Sequence, residues 1–224
     1  MKLGAKHLYL IDYDGTNLPD LKSCIEMKYP DVKATTIQAD AADEAAIVGV
    51  CRQALQEEGR LDVFFANAGV ATAAPLQEVT TDAFMNTMRI NALSCFLAIK
   101  HASEAMQQQN PVRGKDHGGG SIILTASIAG IRSGAGSIDY SASKAAVNNM
   151  AQTATYQLRN TDVRVNSICP GLIETGMTAF TFEYAAARGT SSKIGQLNPL
   201  GRHAVAEGAQ TLNEFPGLSS LGSQ

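Results

Sequence analysis

The sequence predicts an α/β fold, a doubly wound parallel sheet in a single domain, on three observations. Short apolar runs recur along the chain, segments with a 3.6-residue apolar period lie between them, and polar or glycine-bearing turns close most of the runs. Strands alternating with helices in this way feed a parallel sheet covered by helices.

Residues 7–12 (HLYLID) read as a strand. A helix follows over 17–28, with Pro19 tolerated in its first turn. Residues 32–38 form the second strand. The next helix spans 43–58, with Ile47, Val50, Cys51 and Leu55 on one face and Gly59 at its end. Residues 61–66 (LDVFFA) make a buried strand that stops at Asn67-Ala68-Gly69. One long helix is expected over 81–109, capped by Thr80 or Thr81 with Asp82 in its first turn. After a polar loop over 110–120 come a strand at 121–126, a helix at 139–159 and a strand at 163–169. Ligands of such folds bind at the carboxyl ends of the strands.

With 224 residues, 45% hydrophobic and 17% charged, the chain suits one folded domain. A net charge of -3 gives no basic field for nucleic acid or anionic lipid. The apolar runs are too short to span a bilayer, and the opening residues lack a signal peptide's apolar core. Cys24, Cys51, Cys95 and Cys169 are dispersed, so reduced, packed thiols and a cytoplasmic location are expected. His7, His101, His117 and His203 have no carboxylate at ligand spacing, and no metal site is expected.

Tyr140 and Lys144 lie four apart on a predicted helix and share a face. A free tyrosine titrates near 10, and an adjacent ammonium favours the phenolate. Such a tyrosine can donate or accept the proton that carbonyl reduction or alcohol oxidation requires. The pair alone is weak evidence, because Tyr29 and Lys33 repeat its spacing across Pro30, where a turn is expected. Ser127 strengthens it. It ends a strand thirteen residues before Tyr140, where its hydroxyl can bond a reacting carbonyl oxygen. Gly134 and Gly136 lie in the loop between Ser127 and Tyr140, the wrong place for a phosphate cradle.

In order, ANAG (66–69), Ile90-Asn91, the Ser127, Tyr140 and Lys144 set and CPGLIET (169–175) resemble the successive motifs of classical short-chain dehydrogenases/reductases over about residues 4–202. The resemblance implies a Rossmann-like fold and an NAD(P)-dependent oxidoreductase interconverting a secondary alcohol and a ketone. It implies Tyr140 as general acid/base, with Lys144 tuning it and bonding the nicotinamide ribose. Ser127 would orient the substrate oxygen and Asn91 would hold a relay water. Asn67, Ala68 and Gly69 would form a turn beneath the adenosine end of the cofactor, and Asp40 and Ala41 would contact adenine. Pro170, Gly171, Ile173 and Thr175 would hold the carboxamide. Asp12, ending the first strand with no arginine behind it, favours NAD over NADP. Homodimerisation through helices 81–109 and 139–159 is also implied. Taken singly, Asn91 could bond a neighbouring backbone carbonyl, and Gly69 and Gly171 could be ordinary turn glycines. The segment 176–197, with Met177, Phe180, Phe182 and Tyr184, would supply a lid over a hydrophobic substrate, or a helix packed on its own core.

The chain departs from the pattern at both ends. A Gly-rich phosphate turn before Asp12 is absent, so the family's first strand, that turn and most of its helix are expected to be missing. Beyond residue 202, at most a short helix (206–215) precedes a family-like end at 217–220. That first strand lies between 7–12 and 61–66. Its loss would expose two ladder edges, each buried unsatisfied group costing about 1–3 kcal/mol. The pyrophosphate would lose its backbone donors. Poor dinucleotide binding is therefore expected. The alternative function is that of a truncated, non-catalytic relative acting through its dimer surface.

Overall fold

A computed structural model describes residues 4–196, 198 and 200–205, and its parallel strands and helices form the predicted α/β fold. β1 (His7–Asp12) pairs in parallel with β2 (Lys33–Gln38), His7 standing opposite Lys33 and Asp12 opposite Gln38. α1 (Leu18–Lys28) joins them and starts one residue later than predicted. A short 3-10 turn, Gly15–Asn17, precedes it, held by the Asp14 carboxylate accepting from the Thr16 N–H. Tyr29 ends α1 and Lys33 opens β2, so that pair is a turn.

α2 (Glu44–Glu58) is started by Asp43, whose side chain accepts from the Ala45 N–H, and stopped by Gly59 at φ 69°. That left-handed turn strains any residue with a Cβ. β3 (Val63–Ala66), β4 (Gly120–Thr125) and β5 (Val163–Ile168) form a second parallel sheet in that order. α5 (Ile138–Gln157) crosses from β4 to β5.

The single helix expected at 81–109 is instead three pieces: α3 (Thr81–Met88), a π turn at Arg89–Leu93, and α4 (Ser94–Met106). Apolar periodicity does not register one inserted residue, so the sequence reads as unbroken. The insertion seats Asn91 inside the protein, and such π turns are often functional. The Thr80 hydroxyl caps α3 as expected, accepting from the Ala83 N–H.

β6 (Ile173–Glu174) and β7 (Ala204–Val205) make a small parallel pair, with α6 (Ala179–Ala187) between them. The expected elements at 206–215 and 217–220 lie outside the described residues, as does Leu197 at the end of the lid segment.

One core is built on Met106, Ile122, Leu124 and Val147, all fully buried between the three-stranded sheet and its helices. A smaller one, Ile25, Val32 and Ala34 with Leu8, Leu10 and Tyr29, belongs to β1, α1 and β2. No ladder joins the two sheets: among the described residues, β1 pairs only with β2 and β3 only with β4. Val63 is 56% exposed and Phe65 41%, unusual in a parallel strand, which is ordinarily covered on both faces.

Candidate active site

Tyr140 and Lys144 stand one turn apart on α5, and Ser127 sits just past the end of β4. The Lys144 ammonium lies 5.8 Å from the centre of the Tyr140 ring and donates to the Thr125 carbonyl at 2.7 Å. Only 3% of Lys144 is exposed, and burial pushes its amine below the ordinary lysine value. The Cys95 thiol acts weakly in the other direction. Tyr140 is half-buried, and its hydroxyl makes no hydrogen bond among the described residues.

Ser127 is buried and its oxygen accepts from the Ala129 N–H at 3.1 Å, which leaves its own proton available to a substrate oxygen. The turn Ile128–Gly130 rests directly on α5. A Cβ at Gly130 would fall 2.5 Å from the Lys144 carbonyl carbon, 2.6 Å from its oxygen and 2.7 Å from the Ala145 nitrogen. Only glycine permits that approach. By contrast, a Cβ at Gly171 would meet nothing within 4 Å.

Asn91 is wholly buried in the π turn. Its oxygen accepts from the Val70 N–H at 2.8 Å, and its amine donates to the Val70 carbonyl and the Ser143 hydroxyl, each at 3.0 Å. Those bonds clamp the loop after β3 onto α5. They do not go to a carbonyl of its own helix. A Cβ at Gly69 would stand 3.1 Å from the Asn91 oxygen and 3.4 Å from the Lys144 ammonium. The turn at Gly69 thus packs closely against Asn91 and Lys144.

The remaining site residues lie along the strand ends. Asp12 accepts from the Asp14 N–H at 3.0 Å. Asp40 accepts from the Ala42 N–H at 2.8 Å and the Arg89 guanidinium at 2.7 Å, and these hold its carboxyl below the usual range. Ala41 is half-buried beside it, and Ala68 is exposed. Asn67 accepts from the Thr125 hydroxyl at 2.8 Å. The Pro170 carbonyl accepts from the Ile128 N–H at 3.0 Å, tying this loop to the Ser127 turn. Ile173 begins β6, and Thr175 caps the turn Gly176–Thr178. In the lid segment, Met177, Phe180 and Tyr184 are exposed, and Phe182 meets the edge of His203 at 5.0 Å.

The sequence did not single out Asp139, which precedes Tyr140 and is 1% exposed. Its Oδ2 accepts from the Thr87 hydroxyl of α3 at 2.9 Å, while Oδ1 has no bond of ordinary geometry. The hydroxyls of Ser137 and Thr72, themselves 2.7 Å apart, complete the surroundings. Burial raises the carboxyl, but the hydroxyls and the Tyr140 N–H outweigh it and leave it below its ordinary value. An acid in the first turn of a helix that presents a reactive tyrosine was the available signal.

A folded value below the unfolded one contributes stability above the unfolded value, near 3.9, and loses it as pH falls through the folded one. Asp139→Asn should therefore cost about 1–3 kcal/mol at neutral pH. The gap to wild type should shrink below about pH 4. Urea midpoints at both pH values test this.

The histidines require a correction. The fold sets His7 2.8 Å from Glu58, His101 2.8 Å from Glu44 and His203 3.6 Å from Glu174, contacts that span too much sequence for spacing to reveal. Ligand atoms of His7, Glu57 and Glu58 lie within 4.8 Å of one another. They are already engaged: His7 also bonds Thr35, and Glu57 bonds Lys33, Gln53 and Tyr9. All four cysteines are free thiols. Cys51 is pushed up to about 11 by burial, with Glu104 adding to it.

The family model for short chain dehydrogenases matches residues 1–185. Levodione reductase of Leifsonia aquatica is 28% identical over 207 residues, covering 91% of this chain and 74% of that protein. Trans-4-hydroxycyclohexanecarboxylate dehydrogenase of Sinomonas cyclohexanicum is 32% identical over 174 residues, 78% of this chain and 60% of the relative. L-2,3-butanediol dehydrogenase of Corynebacterium glutamicum is 34% identical over 147 residues, 66% of this chain and 54% of the relative. The chain therefore spans between about half and three quarters of these relatives. The crystal structure of levodione reductase superposes with a TM-score of 0.80 at 26% identity, over 93% of this chain and 80% of that one. That of NAD+-bound xylitol dehydrogenase shares the fold, with a TM-score of 0.73 at 24% identity, over 93% of this chain and 81% of that one.

Proposed function

Because the chain belongs to the short-chain dehydrogenase family, we propose that it interconverts a secondary alcohol and a ketone by hydride exchange with a dinucleotide. The observation that carries this reading is the convergence of Tyr140, the buried Lys144 ammonium and the Ser127 turn on one end of α5. Tyr140, with the Lys144 ammonium 5.8 Å from its ring centre, exchanges the proton with the substrate oxygen. Ser127 donates to that oxygen as charge develops on it. Asn91 and Gly69 keep the loop after β3 close to the ammonium.

In this reading Lys144, with Pro170, Gly171, Ile173 and Thr175, would hold the nicotinamide half of NAD(P), and Asp12, Asp40 and Ala41, at the ends of β1 and β2, the adenosine half. When bound, the dinucleotide supplies the hydride, which no side chain here can carry. Asp12 accepts ribose hydroxyls and repels a 2′-phosphate, which favours NAD. The alcohols named for two relatives, trans-4-hydroxycyclohexanecarboxylate and L-2,3-butanediol, together with exposed Met177, Phe180 and Tyr184, support a small, mainly aliphatic ketone or alcohol. Four free thiols fit a reducing cytoplasm, and among the described residues no helix is long and apolar enough to cross a membrane. Exposed Met85, Leu93 and Phe96 on the α3–α4 face, beside Met150 of α5, support a homodimer through these helices.

Turnover of NADH with cyclic ketones tests the activity, and Tyr140→Phe should lower kcat about 10²–10⁴-fold with NADH affinity retained. One observation favours the second reading, a non-catalytic partner protein. The gap between β1 and β3 leaves, among the described residues, no glycine turn opening a helix toward the pyrophosphate. Absence of NADH binding by calorimetry would select it.

A further inference from the structure

The cavity between the two sheets, about 890 Å³, is lined by residues 4–11 along β1 and 61–65 along β3, with Val50, Cys51 and Ala54 of α2 among its walls. We propose that this slot binds an extended segment of another polypeptide as an added strand, parallel to β1 and β3.

The direction follows from local contacts. His7, at the start of β1, bonds Glu58 at the end of α2, and β3 begins five residues after Glu58, so both strands start at one end of the slot. Their hydrogen bonding fixes which groups the guest meets. The Lys33 N–H donates to the Lys6 carbonyl, and the Ala39 N–H to that of Asp12, so the even residues of β1 serve β2. Alternate residues of a parallel strand face opposite neighbours, and His7, Tyr9 and Ile11 turn their peptide groups into the slot. The Ser121 N–H donates to the Asp62 carbonyl in the same way, which turns those of Val63 and Phe65 into it from the other side. Two facing rows of donors and acceptors, rather than an apolar patch alone, define a peptide as the occupant.

The guest's composition follows from the walls. Small α2 residues line one face and exposed Val63 and Phe65 lie along the other, so a run of β-branched residues fits both. Matching the six residues of β1 takes about 20 Å of strand. At the entry end, Lys6 and Arg113 line the slot with no ion pair among the described residues. An acidic residue preceding the apolar run complements them. The proposal does not rest on the oxidoreductase reading.

The test uses the whole chain and a fluorescein-labelled peptide: one aspartate, about six alternating valines and isoleucines, a central photo-crosslinking residue and C-terminal lysines for solubility. Expected are saturable anisotropy, crosslinks to β1 and β3, and loss of binding when two alternate guest residues become proline. The charge reversals Lys6→Glu and Arg113→Glu should each weaken the aspartate peptide several-fold and spare a lysine-headed one. Equal binding of the proline peptide, crosslinks confined to the α3–α5 face, or no anisotropy change up to millimolar chain would overturn the proposal. So would a peptide-independent dimer whose own strands crosslink within the slot, since a second copy would then be the occupant.

Discussion

Lys144→Met should lower turnover at least about 10²-fold, with the protein as stable as wild type or more so. The two effects have one cause. Lys144 is nearly wholly buried, burial depresses its amine, and its hydrogen bond goes to a neutral carbonyl rather than to a carboxylate. A methionine of similar length fills the space without the desolvation penalty, at the loss of one bond to Thr125 worth about 1 kcal/mol.

The pH dependence separates this account from simple loss of packing. An amine whose folded value is depressed binds fewer protons folded than unfolded, so stability rises with pH from the folded value up to the ordinary lysine value near 10.4. Wild type should gain on the methionine variant as pH is raised from 7 toward 10. Urea midpoints that move in parallel across that range would show that Lys144 carries no such penalty.

Gly130→Ala should damage both fold and site. The new methyl would overlap the backbone of Lys144 and Ala145, which cannot rotate away as a side chain can. The turn Ile128–Gly130 must lift from α5, at about 1–3 kcal/mol or more. Ser127 opens that turn and moves with it, away from Tyr140. Thermal denaturation should show a midpoint lowered by several degrees, and kcat should fall more than KM rises. Gly171→Ala, with open space around its Cβ, is the matched control and should leave the midpoint unchanged.

Much of this site was legible in the sequence because it depends on short-range order. The four-residue step from Tyr140 to Lys144 needs only helical geometry, and Ser127 needs only a strand end. Gly59 and Thr80 announced helix boundaries through backbone and side-chain chemistry local to each. What stayed hidden depends on partners far along the chain. The clamp from Asn91 to Val70 and Ser143, the bond from Thr87 to Asp139 and the pairing of His7 with Glu58 each join segments more than twenty residues apart. The π turn was invisible for a different reason: one inserted residue barely disturbs an apolar period, yet it sets which face Asn91 occupies.

The separation of the sheets also bears on how the molecule comes apart. β1, α1 and β2 carry their own small core, and no ladder ties them to the rest among the described residues. What holds them is largely polar and partly exposed: Lys33 and Tyr9 to Glu57, His7 to Glu58, and Asp40 to Arg89. Partly exposed ion pairs contribute little and weaken with salt. Unfolding should accordingly proceed in two cooperative units, with the amides of β1 and β2 exchanging through a sub-global opening while those of β4 and β5 wait for the global one.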